Sequence, residues 1–185
     1  MDRVAAGCEC VAYDWQRIAI ELSEDEMRLC RDRGRQRQSY AEQRGFQAYG
    51  FASAELHTRG YLGECAFAKY LGIPVPSDWT WEGDRRRGHD VGGYQVRTAY
   101  SASGRLLIRP TDKPGNYVLL LTHDRPVIWL VGWCTLDWAN EVGEPGVTPG
   151  GSPKPCKYVA QRALIPFPNI RGSFILQEDR YVQAA

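Results

Sequence analysis

The chain has no apolar run approaching the roughly 20 residues that a bilayer-spanning helix needs, which argues against a membrane protein. Its six cysteines (Cys8, Cys10, Cys30, Cys65, Cys134 and Cys156) are scattered and form no CxxC pair. A disulfide framework and a zinc ribbon are both disfavoured on that spacing. No charged-then-apolar leader opens the sequence, so the expected setting is a reducing cytoplasm. Histidine is scarce, with His57, His89 and His123 far apart; Cys8-Glu9-Cys10 therefore has little to complete a metal site. Charge of one sign is also missing: 23 basic residues against 22 acidic ones leave a formal charge of +1. Attraction to nucleic acid, if any, must come from local patches rather than from a polycationic whole. No internal repeat, P-loop, dinucleotide fingerprint or nucleophile elbow is present, which removes the common signatures of nucleotide hydrolysis, hydride transfer and serine hydrolysis.

What is present suits one globular domain over residues 1–185 of α/β (α+β) class, because a chain of this length with 43% apolar residues can bury a sizeable core. Residues 23–44 read as a basic helix. Ser23 with Glu26 three residues on is a capping-box signal, and Glu24, Asp25 and Glu26 suit the positive end of the helix dipole. Arg28, Arg31, Arg33, Arg35, Arg37 and Arg44 follow along it. Such a helix is either a solvated surface or a nucleic-acid contact through residues such as Arg31 and Arg35, and Asp32 and Glu42 favour the former. Residues 54–71 read as a second helix, with Leu62, Ala66, Phe67, Tyr70 and Leu71 at helical spacing. Glu64 lies within that apolar stripe, where a carboxylate is costly unless it is paired or binds a metal. Gly60 and Gly63 lower helix propensity and suggest close approach to a neighbour.

The most informative stretch is residues 88–98, Gly-His-Asp-Val-Gly-Gly-Tyr-Gln-Val-Arg-Thr. Two glycines between β-prone runs signal a two-residue hairpin turn. With Gly92 and Gly93 as the turn, Val91 should face Tyr94 and Asp90 should face Gln95, and strand alternation should return Arg97 to the Gln95 face. A carboxylate, an amide and a guanidinium would then converge, a set suited to holding a hard cation beside a phosphate. The alternative is a solvated polar face. His89 should point away from Asp90, in a peripheral role.

The order of these features (Glu64 on a helix, His89-Asp90, then Gln95-Val96-Arg97 on a hairpin) resembles the PD-(D/E)xK nuclease superfamily. The strands expected at 104–110, 116–122 and 126–133 look like the remainder of that family's sheet. The run from GECAFAKYLG through DVGGYQVRT to IRP and VGW is similar to proteins encoded by tailed phages and prophages, and the likeness covers roughly residues 50–165. The resemblance implies a restriction-endonuclease-like core, a mixed central sheet flanked by helices, and Mg²⁺- or Mn²⁺-dependent phosphodiester hydrolysis of DNA. In that reading Asp90 is the main metal ligand, Gln95 and the Val96 carbonyl add ligands, Glu64 is an outer or second-metal carboxylate, and Arg97 stabilises transition-state charge. Two positions depart from the pattern. Gln95 replaces an acid and weakens a cation site, and Arg97 replaces a lysine, trading an ammonium for a bidentate phosphate grip. A nuclease-fold protein that binds nucleic acid or a phage protein partner without cutting, in a virion-associated or counter-defence role, is the alternative those departures motivate.

Arg85, Arg86 and Arg87 precede the hairpin and would supply sequence-independent phosphate contacts, or form a charged loop. Trp79 and Trp81 beside them suit stacking on bases or simple packing. Near-continuous apolar runs at 118–121 and 127–131 predict strands covered on both faces. A short helix is expected within 133–141, ended by Gly143, followed by an irregular Gly/Pro-rich loop over 142–156. A short strand is expected within 157–164, and the segment after Pro166 carries no clear signal.

Overall fold

The structure, a computed structural model, describes residues 17–43, 53–75, 90–149 and 153–168. Arg44, Arg85, Arg86, Arg87, His89, Trp79, Trp81, Cys8 and Cys10 lie outside the described residues.

Strand β1 (Ile18–Glu21) leads into helix α1 (Glu24–Gln43), and helix α2 (Ser53–Leu71) follows. The capping box forms as the sequence predicts: the Ser23 N–H donates to Glu26 Oε2 at 2.6 Å, and the Glu26 N–H donates to Ser23 Oγ at 3.2 Å. Two donors of the first turn are thereby satisfied. The helices pack closely because Gly34 has no side chain. A Cβ there would fall 2.1 Å from Thr58 Oγ1 and 2.8 Å from the Thr58 backbone. Gly63 does the same for the helix–sheet contact, since a Cβ there would lie 2.3 Å from Thr98 Cγ2 and 3.2 Å from Val96 Cγ1. Gly60 has nothing within 4 Å of its notional Cβ, so the close approach expected at that position is found at Gly63 alone of the two.

Four strands form the central sheet in the order β1-β5-β4-β2, with β2 (Tyr94–Ala99) at one edge. Strands β4 (Asn116–Asp124) and β5 (Val127–Thr135) are an antiparallel hairpin, and β1 is antiparallel to β5. Strand β2 runs parallel to β4, with Gln95 in register with Tyr117 and Arg97 with Leu119. Tyr117 to Thr122 are all buried, as expected of a strand covered on both faces. One face carries Val118 and Leu120 into a core shared with α1 and α2, including Leu62, Ala66, Phe67 and Tyr70. The other carries Tyr117, Leu119 and Leu121 into a second core with Leu106, Ile108, Val159 and Leu164.

That second core is closed by a three-stranded antiparallel sheet in the order β3-β7-β6, comprising β3 (Leu106–Ile108), β6 (Glu144–Val147) and β7 (Pro155–Val159). The 142–156 stretch read as irregular loop is therefore partly ordered. Glycine and proline hide strand β6 from its residues, yet Glu144 to Val147 pair antiparallel with Pro155 to Tyr158. Short helix α3 (Leu136–Val142) starts at Thr135, whose hydroxyl accepts from the Trp138 N–H, and ends at Gly143 as predicted. Ile165 bridges to Trp133, and at the start of the segment without sequence signal Phe167 sits among Phe67, Tyr70 and Tyr94 with ring centroids 5.5–5.9 Å away. Cys30, Cys65, Cys134 and Cys156 are free and buried. Among the described residues no helix is long and apolar enough to cross a membrane.

The result is mixed α+β, with α1 and α2 on one face of the central sheet and α3 with a small second sheet on the other.

Candidate functional site around the edge strand

The Gly92-Gly93 turn forms as read. Both glycines take positive φ, 55° and 83°, and Val91 pairs with Tyr94 through Tyr94 N–H to Val91 O at 2.9 Å and Val91 N–H to Tyr94 O at 3.2 Å. These angles are those of a primed hairpin turn, which only glycine adopts without strain at both positions. Among the described residues the hairpin pairing ends at Val91 and Tyr94. The Asp90 N–H also donates to Tyr94 O, at 3.0 Å, so Asp90 does not sit opposite Gln95 in a ladder. Beyond Tyr94 the strand takes its ladder from β4 instead.

Asp90 has a different position as a result. Its Oδ2 accepts the Val96 N–H at 2.7 Å, on the side of β2 away from β4. A carboxylate there satisfies a backbone donor of β2 that β4 does not take up.

Alternation along β2 sorts the remaining candidates. Val96 and Thr98 face α2 at Gly63. Gln95 and Arg97 consequently lie on the opposite face, the one shared with Tyr117. Glu64 is buried on α2, beyond the Val96 face, where it acts electrostatically on Cys30 and Tyr61. The structure thus gathers Asp90, Gln95 and Arg97 around the rim of β2 and sets Glu64 on the helix layer across the sheet.

Two residues not singled out in the sequence complete the rim. Arg97 Nη2 donates to Asp112 Oδ1 at 3.0 Å, and the guanidinium carbon lies 5.4 Å from the centre of the Tyr117 ring. The other Asp112 oxygen, Oδ2, accepts the Arg109 N–H at 2.9 Å, while the Asp112 N–H donates to Arg109 O at 3.0 Å. Asp112 therefore closes its own turn after Pro110 and aims one oxygen at Arg97. The side chains are 24% (Arg97) and 10% (Asp112) exposed, so the pair is largely shielded from solvent. Burial raises the Tyr117 phenol above its ordinary pKa, and the charges of Asp112 and Asp90 raise it further against an opposing effect of Arg97. All three charges thus act on one hydroxyl, which donates to Lys113 O at 2.7 Å. The Pro-Thr-Asp turn signal was present in the sequence, but nothing local ties Asp112 to Arg97, fifteen residues earlier.

Both Asp112 oxygens and one Asp90 oxygen already accept hydrogen bonds, and Gln95 contributes no charge. A Mg²⁺ site of the usual kind draws on carboxylates whose lone pairs face the ion.

On α1, Arg28, Arg31 and Arg35 are exposed at helical spacing that places them on one face. Arg28 pairs with Asp25 at 2.6 Å and Arg35 pairs with Asp32, whereas Arg31 makes no ion pair among the described residues. Exposed pairs of this kind contribute little to stability and partly neutralise the stripe.

Comparison with known proteins returns no matching family model, no matching curated protein and no matching solved structure.

Proposed function

We propose that this is a nucleic-acid-binding protein of nuclease-like organisation, which grips a phosphodiester backbone at the β2 rim rather than cutting it. The observation that carries the reading is the division of labour at that rim. Asp112 Oδ1 holds Arg97, Asp112 Oδ2 holds the Arg109 N–H and Asp90 Oδ2 holds the Val96 N–H, while the partly exposed Arg97 guanidinium is a cation at that rim. A guanidinium oriented by a carboxylate and backed by an aromatic ring is suited to bidentate contact with phosphate. Arg31 and the flanking Arg28 and Arg35 on α1 supply further, sequence-independent attraction.

Metal-dependent hydrolysis, the activity that the PD-(D/E)xK resemblance implies, is the competing reading. It would bring Asp90, whose Oδ2 holds the Val96 N–H, together with Gln95 and with Glu64 of α2 around one ion. Fluorescence anisotropy with a labelled DNA duplex and a single strand tests the binding reading. Arg97→Ala should weaken binding about tenfold, Arg97→Lys should not restore it, and Asp90→Asn should change it less than threefold. Plasmid nicking with Mg²⁺ or Mn²⁺ tests the other. Divalent-dependent nicking that Asp90→Asn abolishes would overturn the binding-only proposal.

A further inference from the structure

A second basic feature lies at the far side of the central sheet from β2, between the β1/β5 edge and the turn that follows β7. There Arg17, Trp129, Gln161 and Arg162 line a cleft of about 490 Å³. Trp129 is on β5 in register with Ala19 of β1, and packs partly against the second core. Its indole N–H points to Asp124 Oδ2, 3.4 Å away. Gln161 opens the 3-10 turn after β7 and is fixed there: its Nε2 donates to Ala102 O at 3.0 Å and to Gly104 O at 2.7 Å. Arg17 is fixed in turn, with Nη2 donating to Gln161 Oε1 at 2.9 Å and to Ala102 O at 3.0 Å.

This cleft carries two arginines and no carboxylate in its lining. Several described arginines have a carboxylate partner: Arg28 with Asp25, Arg35 with Asp32, Arg59 and Arg125 with Glu55, Arg97 with Asp112, and Arg105 with Glu144. Among the described residues neither Arg17 nor Arg162 has one, and Arg17 bonds only neutral oxygens through a single nitrogen. Two like charges that share a concave site without a counter-ion raise the local potential and favour an anion between them. The wall beside them is an indole, which offers a face for stacking a planar group. A cleft of this volume is within the range of small-molecule sites.

We infer that this cleft binds one nucleotide unit, with its phosphate between Arg17 and Arg162 and its base against Trp129. The inference does not rest on the β2 rim, which lies at the opposite edge of the sheet. The same chemistry is offered by a free mononucleotide and by the terminal nucleotide of a single strand.

Isothermal titration with adenosine monophosphate, adenosine and a 5′-phosphorylated pentathymidylate tests it on the full chain. The nucleotide or the phosphorylated strand should bind saturably, at least tenfold more tightly than adenosine or the unphosphorylated strand. Binding of the mononucleotide assigns the free ligand, and binding of the strand alone assigns a nucleic-acid end. Arg162 is exposed and its side chain has no hydrogen bond or ion pair among the described residues, so Arg162→Glu should keep the fold and reduce the affinity tenfold or more; Trp129→Phe should retain part of it. No saturable binding of either ligand to millimolar concentration, or affinity unchanged in Arg162→Glu, would overturn the inference. Duplex binding that is lost in Arg97→Ala but kept in Arg162→Glu would leave the β2 proposal standing while removing this one.

Discussion

Asp90 and Val96 are joined along the rim of β2, carboxylate Oδ2 to amide N–H at 2.7 Å. The contact fixes how the strand leaves the Gly92-Gly93 turn, because a residue just before the turn holds one three places after it. A charged acceptor on a backbone donor contributes about 1.5–3 kcal/mol. Asp90→Ala should lower the unfolding free energy by about that amount in a urea titration, and Asp90→Asn, which keeps a neutral acceptor, by less. Equal losses for both would mean that the carboxylate acts elsewhere.

The Arg97–Asp112 pair is shielded enough to be energetically coupled and exposed enough to tolerate substitution. Arg97→Met and Asp112→Asn should each destabilise by about 1–3 kcal/mol, and the double mutant by less than their sum. The coupling from a double-mutant cycle should be about 1–2 kcal/mol; strict additivity would show that the two charges do not support one another.

Two helix glycines make opposite predictions. At Gly34 a methyl group meets the Thr58 backbone at 2.8 Å, so Gly34→Ala should cost about 1–3 kcal/mol by overpacking, more than the roughly 1 kcal/mol gained in helix propensity. At Gly60 the methyl meets nothing within 4 Å, and Gly60→Ala should stabilise by up to about 1 kcal/mol. Thermal denaturation of the two variants beside the wild type reads both signs at once.

Glu55 gives the acid side of the stability profile. Burial would raise its pKa, but Arg125 at 2.6 Å and Arg59 at 3.0 Å outweigh this and hold it below the ordinary value of 4.5. A depressed carboxylate contributes stability above its unfolded pKa and loses it as pH falls through the folded one. Thermal midpoints measured from pH 6 to pH 3 should fall less steeply in Glu55→Gln than in the wild type, with the difference confined to below about pH 5.

The sequence was most legible where the signal is local. The Ser23/Glu26 box, the apolar stripe of α2, the Gly92-Gly93 turn and the stop at Gly143 all depend on residues within one turn of each other, and all are found. It was least legible where a strand's partner had to be chosen. Tyr94 to Ala99 have the pattern of a hairpin arm, yet their ladder is with β4, whose sixfold run of buried residues offers more apolar surface than the polar residues before Val91. That choice moves Asp90 from facing Gln95 to capping Val96. It also brings Tyr117 beside Gln95 and Asp112 beside Arg97, pairings of long sequence separation that no motif announces. Strand β6 was hidden for a simpler reason: Pro145 and Gly146 are poor strand formers, and only pairing with β7 holds them extended.

Strands β4 and β5 are a party wall. Val118, Leu120, Ile128 and Leu130 insulate one side, and Tyr117, Leu119, Leu121 and Val131 the other. Neither compartment can be emptied without stripping the same two strands, so heat should collapse both in a single calorimetric event. Amide protons midway along β4 should be the last to exchange with deuterium, and those of β6, on the outside of the smaller sheet, among the first.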